Sequence, residues 1–339
     1  MERIPVFVGM DYHQDSVQVC VEGADGRVLA NRKCANDLAE IVDVAERCGE
    51  VAGAAIESCS GAADLAEELV TRAGWPVDLA HPGFVGRMKQ NPDKTDFSDA
   101  HLLADLERVG YLPRVWLAPQ EVRELRRLMN YRQQLVKERT AVKLRIRSLL
   151  RDQRVRPPFP RAWTRPWTKW VLETEEVSEQ SRWILKQHFR RLEILGKDIL
   201  QVEKRVDRQT AKDAVVQALL QYKGIGPITA CMFRAHIGRF DRFRTAKQLS
   251  RYCGLSPRNA SSGKRQADAG LIRAGDPVLR ATLVEAAHRL MRYDDRWVQL
   301  ARNMRARGKP VSLIAAAVAN RWVRWLFHQM QPCKLAACA

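Results

Sequence analysis

Neither glycine nor proline occurs between Gln120 and Arg154, and an uninterrupted stretch of that length predicts one long α-helix. Its apolar positions, Val122, Leu125, Leu128, Leu135, Val142, Ile146 and Leu149, recur at roughly helical spacing, and much of the remainder is basic. A break follows that holds Pro157, Pro158, Pro160 and Pro166 together with Trp163, Trp167 and Trp170. A second helix is expected from about Val177 to Lys212. Two long helices flanking a break predict a helical hairpin or coiled-coil arm over residues 119–212, and a plain helical bundle fits the same imperfect heptads. For the tryptophans, packing between helices is one reading and stacking of RNA or DNA bases is the other.

The residues before this helical segment read differently. Val6–Met10 is a short apolar run suited to a central strand. Ser16–Val21 alternates polar and apolar residues, and Arg27–Asn31 is its expected hairpin partner. Helical spacing over Asp37–Cys48, an apolar strand at Val51–Ile56, a helix over Ala62–Ala73, a strand at Pro76–Ala80 and a helix over Asp96–Val109 complete the unit. Three strands in a row and then alternating helix and strand predict an α/β sheet of mixed direction over 1–118. Residues 213–330 read as a mostly α unit with a Gly-rich centre. Its apolar stretch Val311–Phe327 is interrupted by Asn320, Arg321 and Arg324, which predicts a buried amphipathic helix and no membrane span.

With 339 residues and 46% hydrophobic residues the chain is expected to form two or three folded units with real cores, which excludes wholesale disorder. The net charge is +18 and unevenly spread: residues 1–118 hold 11 basic and 20 acidic side chains, and the rest of the chain carries +27. An acidic first third suits cations and a basic remainder suits phosphates, so nucleic acid is the first partner to consider, with solvated surface as the bland alternative for the basic part. The eight cysteines form no CxxC pair, and no signal-peptide pattern opens the chain. A reducing cytoplasmic setting, in contact with the nucleoid, is expected.

Four acids have informative placement. Asp11 ends the first apolar strand, Glu57 ends the strand Val51–Ile56, and Asp96 and Asp99 share a face at the start of a helix. If the first and fourth strands are neighbours, Asp11 and Glu57 sit side by side and the helix brings the other two acids to them. Such a cluster needs cations. Oxygen ligands suit Mg²⁺ or Mn²⁺, and paired ions of this kind activate a nucleophile and stabilise a leaving oxygen in phosphoryl transfer. The alternatives are an N-cap role for Asp96 with Asp99 as an N3 acid, and strand-end polarity for Asp11 and Glu57.

Two further segments suit phosphates. Tyr222-Lys223-Gly224-Ile225-Gly226-Pro227 joins two helical stretches in a helix-hairpin-helix pattern. There Gly224 and Gly226 let backbone N–H groups approach a phosphate and Lys223 adds charge; an ordinary helix turn is the alternative. Gly254-Leu255-Ser256-Pro257 leads into Ser261-Ser262-Gly263-Lys264-Arg265, a basic serine-rich loop in which Lys264 and Arg265 face phosphate, or in which the serines serve as turn residues.

The order Asp11, Glu57, Lys94-Thr95-Asp96-Phe97-Ser98-Asp99-Ala100, the Gly-Ile-Gly-Pro turn and the Ser-Ser-Gly-Lys-Arg loop together resemble the DEDD transposases of the IS-110 family, which includes the Piv-like DNA invertases. The resemblance covers nearly the whole chain. It implies an RNase H/RuvC-like N-terminal domain in which Asp11, Glu57, Asp96 and Asp99 are catalytic and bind divalent metal, a coiled-coil arm and a C-terminal transposase domain. It also implies a serine nucleophile that matches Ser262 by position, with Ser261 its neighbour in the doublet, and a phosphoserine intermediate formed with the carboxylate site of another subunit. A structured guide RNA, DNA ends and target, and dimers that pair into tetramers complete what it implies. Here Tyr12-His13-Gln14-Asp15 follows the first aspartate, with only His13 where the family often has a basic residue. A hydrolytic junction nuclease of the RuvC type would share the carboxylates but not need the serine loop, and a pure binding protein would need neither.

Overall fold

The computed structural model describes residues 4–89, 95–259, 268–272 and 274–331, and the chain separates into two units, Met1–Pro119 and Gln120–Ala339. Lys94, Ser261, Ser262, Lys264 and Arg265 lie outside the described residues.

The first unit runs β1 (Pro5–Tyr12), β2 (Ser16–Gly23), β3 (Val28–Ala35), α1 (Leu38–Glu46), β4 (Glu50–Glu57), α2 (Ala62–Glu68), β5 (Val77–Ala80), α3 (Pro82–Met88), α4 (Asp96–Arg108) and β6 (Arg114–Val115). The strands form one sheet in the order β3-β2-β1-β4-β5-β6. The pairs β1–β2, β2–β3 and β5–β6 are antiparallel, and β1–β4 and β4–β5 are parallel. This is the mixed α/β sheet expected of an RNase H-like domain. Period-two alternation sorts its side chains: Val6, Val8 and Met10 of β1 with Ala54 and Ile56 of β4 bury against α1 and α2. Between Val6 and Phe7 the β1–β4 register shifts, from Val6 opposite Val51 to Phe7 opposite Gly53.

The opposite face is built from small residues. Gly9, Cys20 and Ala55 admit α4, whose own Ala100 and Ala104 face the sheet. A Cβ on Gly9 would meet Ala100 O at 2.0 Å and Ala104 N at 2.3 Å, so the helix backbone rests almost on the strand. Farther along, the buried Glu22 of β2 reaches His101 Nε2 at 3.1 Å and Arg108 Nε at 3.4 Å, which fixes the helix lengthwise. Three details differ from expectation. The helix expected over 62–73 is α-helical only to Glu68 and continues as a π-helical turn, Leu69–Ala73, where the Thr71 hydroxyl donates to Glu67 O at 2.7 Å. Helix α3 forms where Pro82 starts it and His81 Nδ1 accepts from Gly83 N at 3.1 Å. The two-residue β6 is held by its pairing to β5 and has no pattern of its own.

The second unit is helical: α5 (Gln120–Asp152), α6 (Arg165–Glu173), α7 (Glu179–Thr210), α8 (Ala214–Leu220), α9 (Pro227–Ile237), α10 (Ala246–Tyr252), then β7 (Pro257–Asn259) paired antiparallel with β8 (Asp268–Leu271), and α11 (Pro277–Tyr293), α12 (Asp295–Ala306) and α13 (Val311–Gln329). Helices α5 and α7 pack antiparallel, tied by Arg132 Nε to Glu203 at 2.8 Å and Arg191 to Glu138 at 3.0 Å. One hydrophobic cluster runs from Leu125 through these helices to Met330. The proline-rich break holds a helix that the sequence did not suggest: Thr164 caps α6, Pro166 sits in its first turn, and Trp167 is buried against Trp163 and Phe189 at ring separations of 4.7 and 6.3 Å.

Helix α5 ends in a Schellman motif, with Val155 N bonded to Leu150 O and Arg154 N to Arg151 O. Arg154 is the left-handed residue, at φ +57, a position where a side chain other than glycine costs about 1 kcal/mol. In α13 the interrupting Asn320 is satisfied: its Nδ2 donates to Ser250 Oγ at 2.8 Å and Leu255 O at 2.9 Å. Among the described residues no helix is long and apolar enough to cross a membrane.

Candidate active site

Three elements meet at one end of the β1–β4 pair. The parallel register sets Met10 opposite Ile56, and one residue further on Asp11 and Glu57 stand side by side on the face that carries α4. Thr95 begins α4, because Ser98 N donates to its hydroxyl at 3.2 Å and Thr95 N donates back to Ser98 Oγ at 3.4 Å. The capping alternative for Asp96 and Asp99 is therefore replaced: Thr95 is the N-cap and Ser98 the N3 residue, and both acids are left free to face the sheet. A chain of amides fixes the height of this turn. Gln18, opposite Asp11 on β2, donates to Asn31 Oδ1 at 2.7 Å, and Asn31 donates to Phe97 O at 3.1 Å.

Within the cluster His13 Nε2 lies 3.5 Å from Asp11 Oδ2 and 3.4 Å from Asp96 Oδ2. Lys33 Nζ is 3.8 Å from the same Asp96 oxygen. Asp99, only 7% exposed, is met by Lys89 Nζ at 2.6 Å. Burial pushes the Asp11 carboxyl above its ordinary range; His13 opposes this, and the charges of Asp99, Asp96 and Glu57 add to it. The ligand atoms of Asp11, His13 and Asp96 all fall within 4.8 Å of one another, a spacing that can hold a metal ion. The donor set is mainly hard oxygen with one imidazole, which suits a divalent cation.

The structure thus brings Asp11 and Asp96 together with His13 at a metal-binding spacing, and places Glu57 and Asp99 close enough for their charges to act on Asp11. Three basic partners were not predicted. His13 lies two residues beyond Asp11, in the turn just past the end of β1, and its closeness in the chain was a signal that was available. Lys33 sits two strands from Asp11 and Lys89 ends α3, and no local pattern links either to the acids.

In the second unit Lys223, Gly224 and Gly226 form the turn between α8 and α9. Gly224 is left-handed, at φ +82, and Arg289 pins the turn by donating to Gly224 O and Thr229 Oγ1, each at 3.0 Å. Pro227 opens α9 with Gly226 as its N-cap. Ser261, Ser262, Lys264 and Arg265 fall in the connection between β7 and β8, outside the described residues. The base of that connection is held by Ile272 N donating to Ser256 O at 3.0 Å and by Asn320 on Leu255 O.

Comparison with known proteins agrees with this geometry. A family profile described as a DEDD transposase of the IS110 type matches residues 8–154, and one described as the IS116/IS110/IS902 transposase family matches residues 216–302. The chain is 30% identical over 294 residues to a probable family 20 transposase of Pseudomonas aeruginosa, covering 82% of this chain and 84% of that protein. It is 26% identical over 329 residues to the transposase for insertion sequence element IS1111A of Coxiella burnetii, covering 94% and 88%. The transposase for element IS1328 of Yersinia enterocolitica is 25% identical over 281 residues, covering 83% and 82%. With carboxylates at the end of a mixed sheet, and matched segments that take in both that site and the glycine turn, the chain belongs to the IS116/IS110/IS902 family of transposases.

Proposed function

We propose that this transposase cleaves and rejoins DNA by metal-dependent phosphoryl transfer at Asp11, Glu57, Asp96 and Asp99, through a phosphoserine on Ser262. The observation that carries the reading is the meeting of Asp11, His13 and Asp96, whose ligand atoms lie within 4.8 Å of one another at the end of the β1–β4 pair, with Glu57 and Asp99 beside Asp11. A cluster so arranged is stabilised by a divalent cation, and Mg²⁺ or Mn²⁺ held there would supply Lewis-acid stabilisation of charge on the phosphoryl oxygens.

The chain's own groups do the rest. Asp96 and Asp99, on the first turn of α4, and Asp11 and Glu57, on adjacent strands, present oxygens from two rigid elements. Lys89 and Lys33 balance the carboxylates and stand at the rim, where they can grip phosphate oxygens. The Ser262 hydroxyl attacks the scissile phosphorus, losing its proton as the Oγ–P bond forms and the P–O bond to the leaving sugar breaks, with that oxygen taking up a proton. A hydroxyl on the incoming strand then reverses the exchange, so the bond energy is conserved. The turn at Lys223, Gly224 and Gly226, read as a helix-hairpin-helix, and the loop residues Lys264 and Arg265 hold backbone phosphates. The paired α5 and α7 are read as a coiled-coil arm within residues 119–212, between the catalytic domain at 1–118 and the C-terminal transposase domain at 213–330. A structured guide RNA and a dimer or tetramer, with the serine of one subunit serving the carboxylates of another, complete the reading; the +27 charge beyond residue 118 supports a polyanionic partner.

Covalent capture tests it. The protein, Mg²⁺, junction DNA from its element and RNA transcribed from the element's flanks are incubated and any adduct is mapped by mass spectrometry. An adduct on Ser262, lost in Ser262→Ala and in Asp11→Ala, is expected. Metal-dependent cutting with no adduct, unchanged in Ser262→Ala, would instead identify a hydrolytic nuclease of the RuvC type.

A further inference from the structure

Where α5 runs out into the proline-rich connection, the surface opens into a pocket of about 740 Å³. Arg147, Arg151, Arg154 and Arg156 line it, with Phe159 and the buried Trp167 on its apolar side. All four arginines are exposed. Among the described residues none of their guanidinium groups is engaged in an ion pair or hydrogen bond. Four like charges converging on one concavity repel one another, and an anionic occupant relieves that repulsion.

The backbone supplies a second, independent observation. Arg154 is the left-handed residue of the α5 terminus, the place where glycine fits without strain. An arginine kept there puts a guanidinium on the pocket wall at the expense of local backbone comfort, an outlier that points to use of its side chain. Guanidinium groups bind phosphate oxygens bidentately, and Phe159 gives a partly exposed ring on which a base can stack. A pocket open to solvent on one side and carrying a partly exposed aromatic ring suits a strand whose bases are free to stack on it; the bases of a duplex are already paired and stacked. The family's substrate is DNA.

We propose that the pocket at the end of α5 docks a single strand of DNA, with its phosphates on Arg147, Arg151, Arg154 and Arg156 and a base against Phe159. The site is additional to the carboxylate cluster, the glycine turn and the serine loop. It stands whether or not the serine mechanism does.

The test uses the full chain and a short oligodeoxythymidine carrying iododeoxyuridine. Ultraviolet cross-linking followed by peptide mapping is expected to place adducts between residues 147 and 167, at Phe159. The Arg151→Ala/Arg156→Ala variant, altered only at exposed positions, should weaken binding by about tenfold. It should also reduce the slope of log K against log salt by about 1.4, the value for two lost phosphate contacts on a single strand. Arg154→Gly separates fold from function: its thermal midpoint should rise while its DNA binding falls. Cross-links that avoid this segment, a double variant that binds like the parent, an RNA strand of matching sequence that outcompetes the DNA, or an Arg154→Gly protein that is stabilised with binding unchanged would each overturn the proposal.

Discussion

Lys89 Nζ sits 2.6 Å from Oδ1 of Asp99, so the most buried acid of the cluster already has a cation against it. A divalent ion entering beside Asp99 must work against that ammonium. Replacing Lys89 by Met should therefore tighten Mn²⁺ binding by about tenfold, the repulsion between single and double positive charges about 5 Å apart in a water-like medium. The same change should lower the stability of the metal-free protein by about 2 kcal/mol, because it strands a buried carboxylate. Calorimetric Mn²⁺ titration and denaturant melts in chelator read the two effects. Weaker Mn²⁺ binding in the variant would show that Lys89 supports the site and does not compete for it.

Gly9 controls where the helical acids stand. With Ala100 O and Ala104 N at 2.0 and 2.3 Å from any added Cβ, Gly9→Ala must lift α4 off the sheet. A loss of about 3 kcal/mol is expected from such overpacking, together with weaker metal binding, since Asp96 and Asp99 move with the helix. Urea unfolding at fixed Mn²⁺ and in its absence measures both; a variant with normal stability would refute the close approach.

The two glycines of the α8–α9 turn should part company on substitution. Gly224 is left-handed and an added Cβ would press Leu290 at 3.1 Å, so Gly224→Ala should destabilise the fold by about 1–2 kcal/mol. Gly226 has φ −99 and open space around it. Gly226→Ala should melt like the parent, and if phosphate approaches the backbone there, it should bind duplex DNA less tightly. Unchanged DNA binding in Gly226→Ala would count against the turn as a phosphate site.

A pH effect is expected at the start of α11. Burial raises the Asp276 carboxyl, but its hydrogen bond to His236 Nδ1, the charge of that ring and the N–H groups of Leu279 and Val278 outweigh burial and hold it below the ordinary aspartate value. A carboxyl depressed on folding contributes stability above its unfolded pKa and loses that contribution as pH falls through its folded one. Asp276→Asn keeps a capping oxygen and loses the charge. The parent should therefore lead it by about 2 kcal/mol near neutrality, and the lead should shrink below about pH 4. A lead that persists undiminished into stronger acid would exclude this carboxylate as its source.

The acids and the sheet were legible in the sequence because both obey short-range rules. Continuous apolar runs marked β1 and β4, and alternation of polar and apolar residues marked β2, all to within two residues at each end, and carboxylates at the ends of β1 and β4 announced themselves by position. Elements that depend on distant partners were not legible. The short β6 exists through β5, α6 forms around the burial of Trp167, and β7 and β8 are defined by their pairing with each other across a separation of nine residues or more in the chain. Lys89 and Lys33 reach the cluster only because the sheet folds, so nothing near them in the chain signals it. Asn320 read as an interruption of an apolar stretch and proves to be a tether for Ser250 and Leu255.

The register shift between Val6 and Phe7 fixes the parity of the site. Without the extra residue in β4, the partner of Asp11 would be Ile56, and Glu57 would point into the opposite layer, among the side chains packed on α1 and α2. A one-residue insertion or deletion between Val51 and Glu57 would thus invert one carboxylate while leaving the strand intact. A two-residue change would slide the strand and restore the facing. Length variation in the loops of this unit can be absorbed where it occurs; in this short stretch it is counted as odd or even.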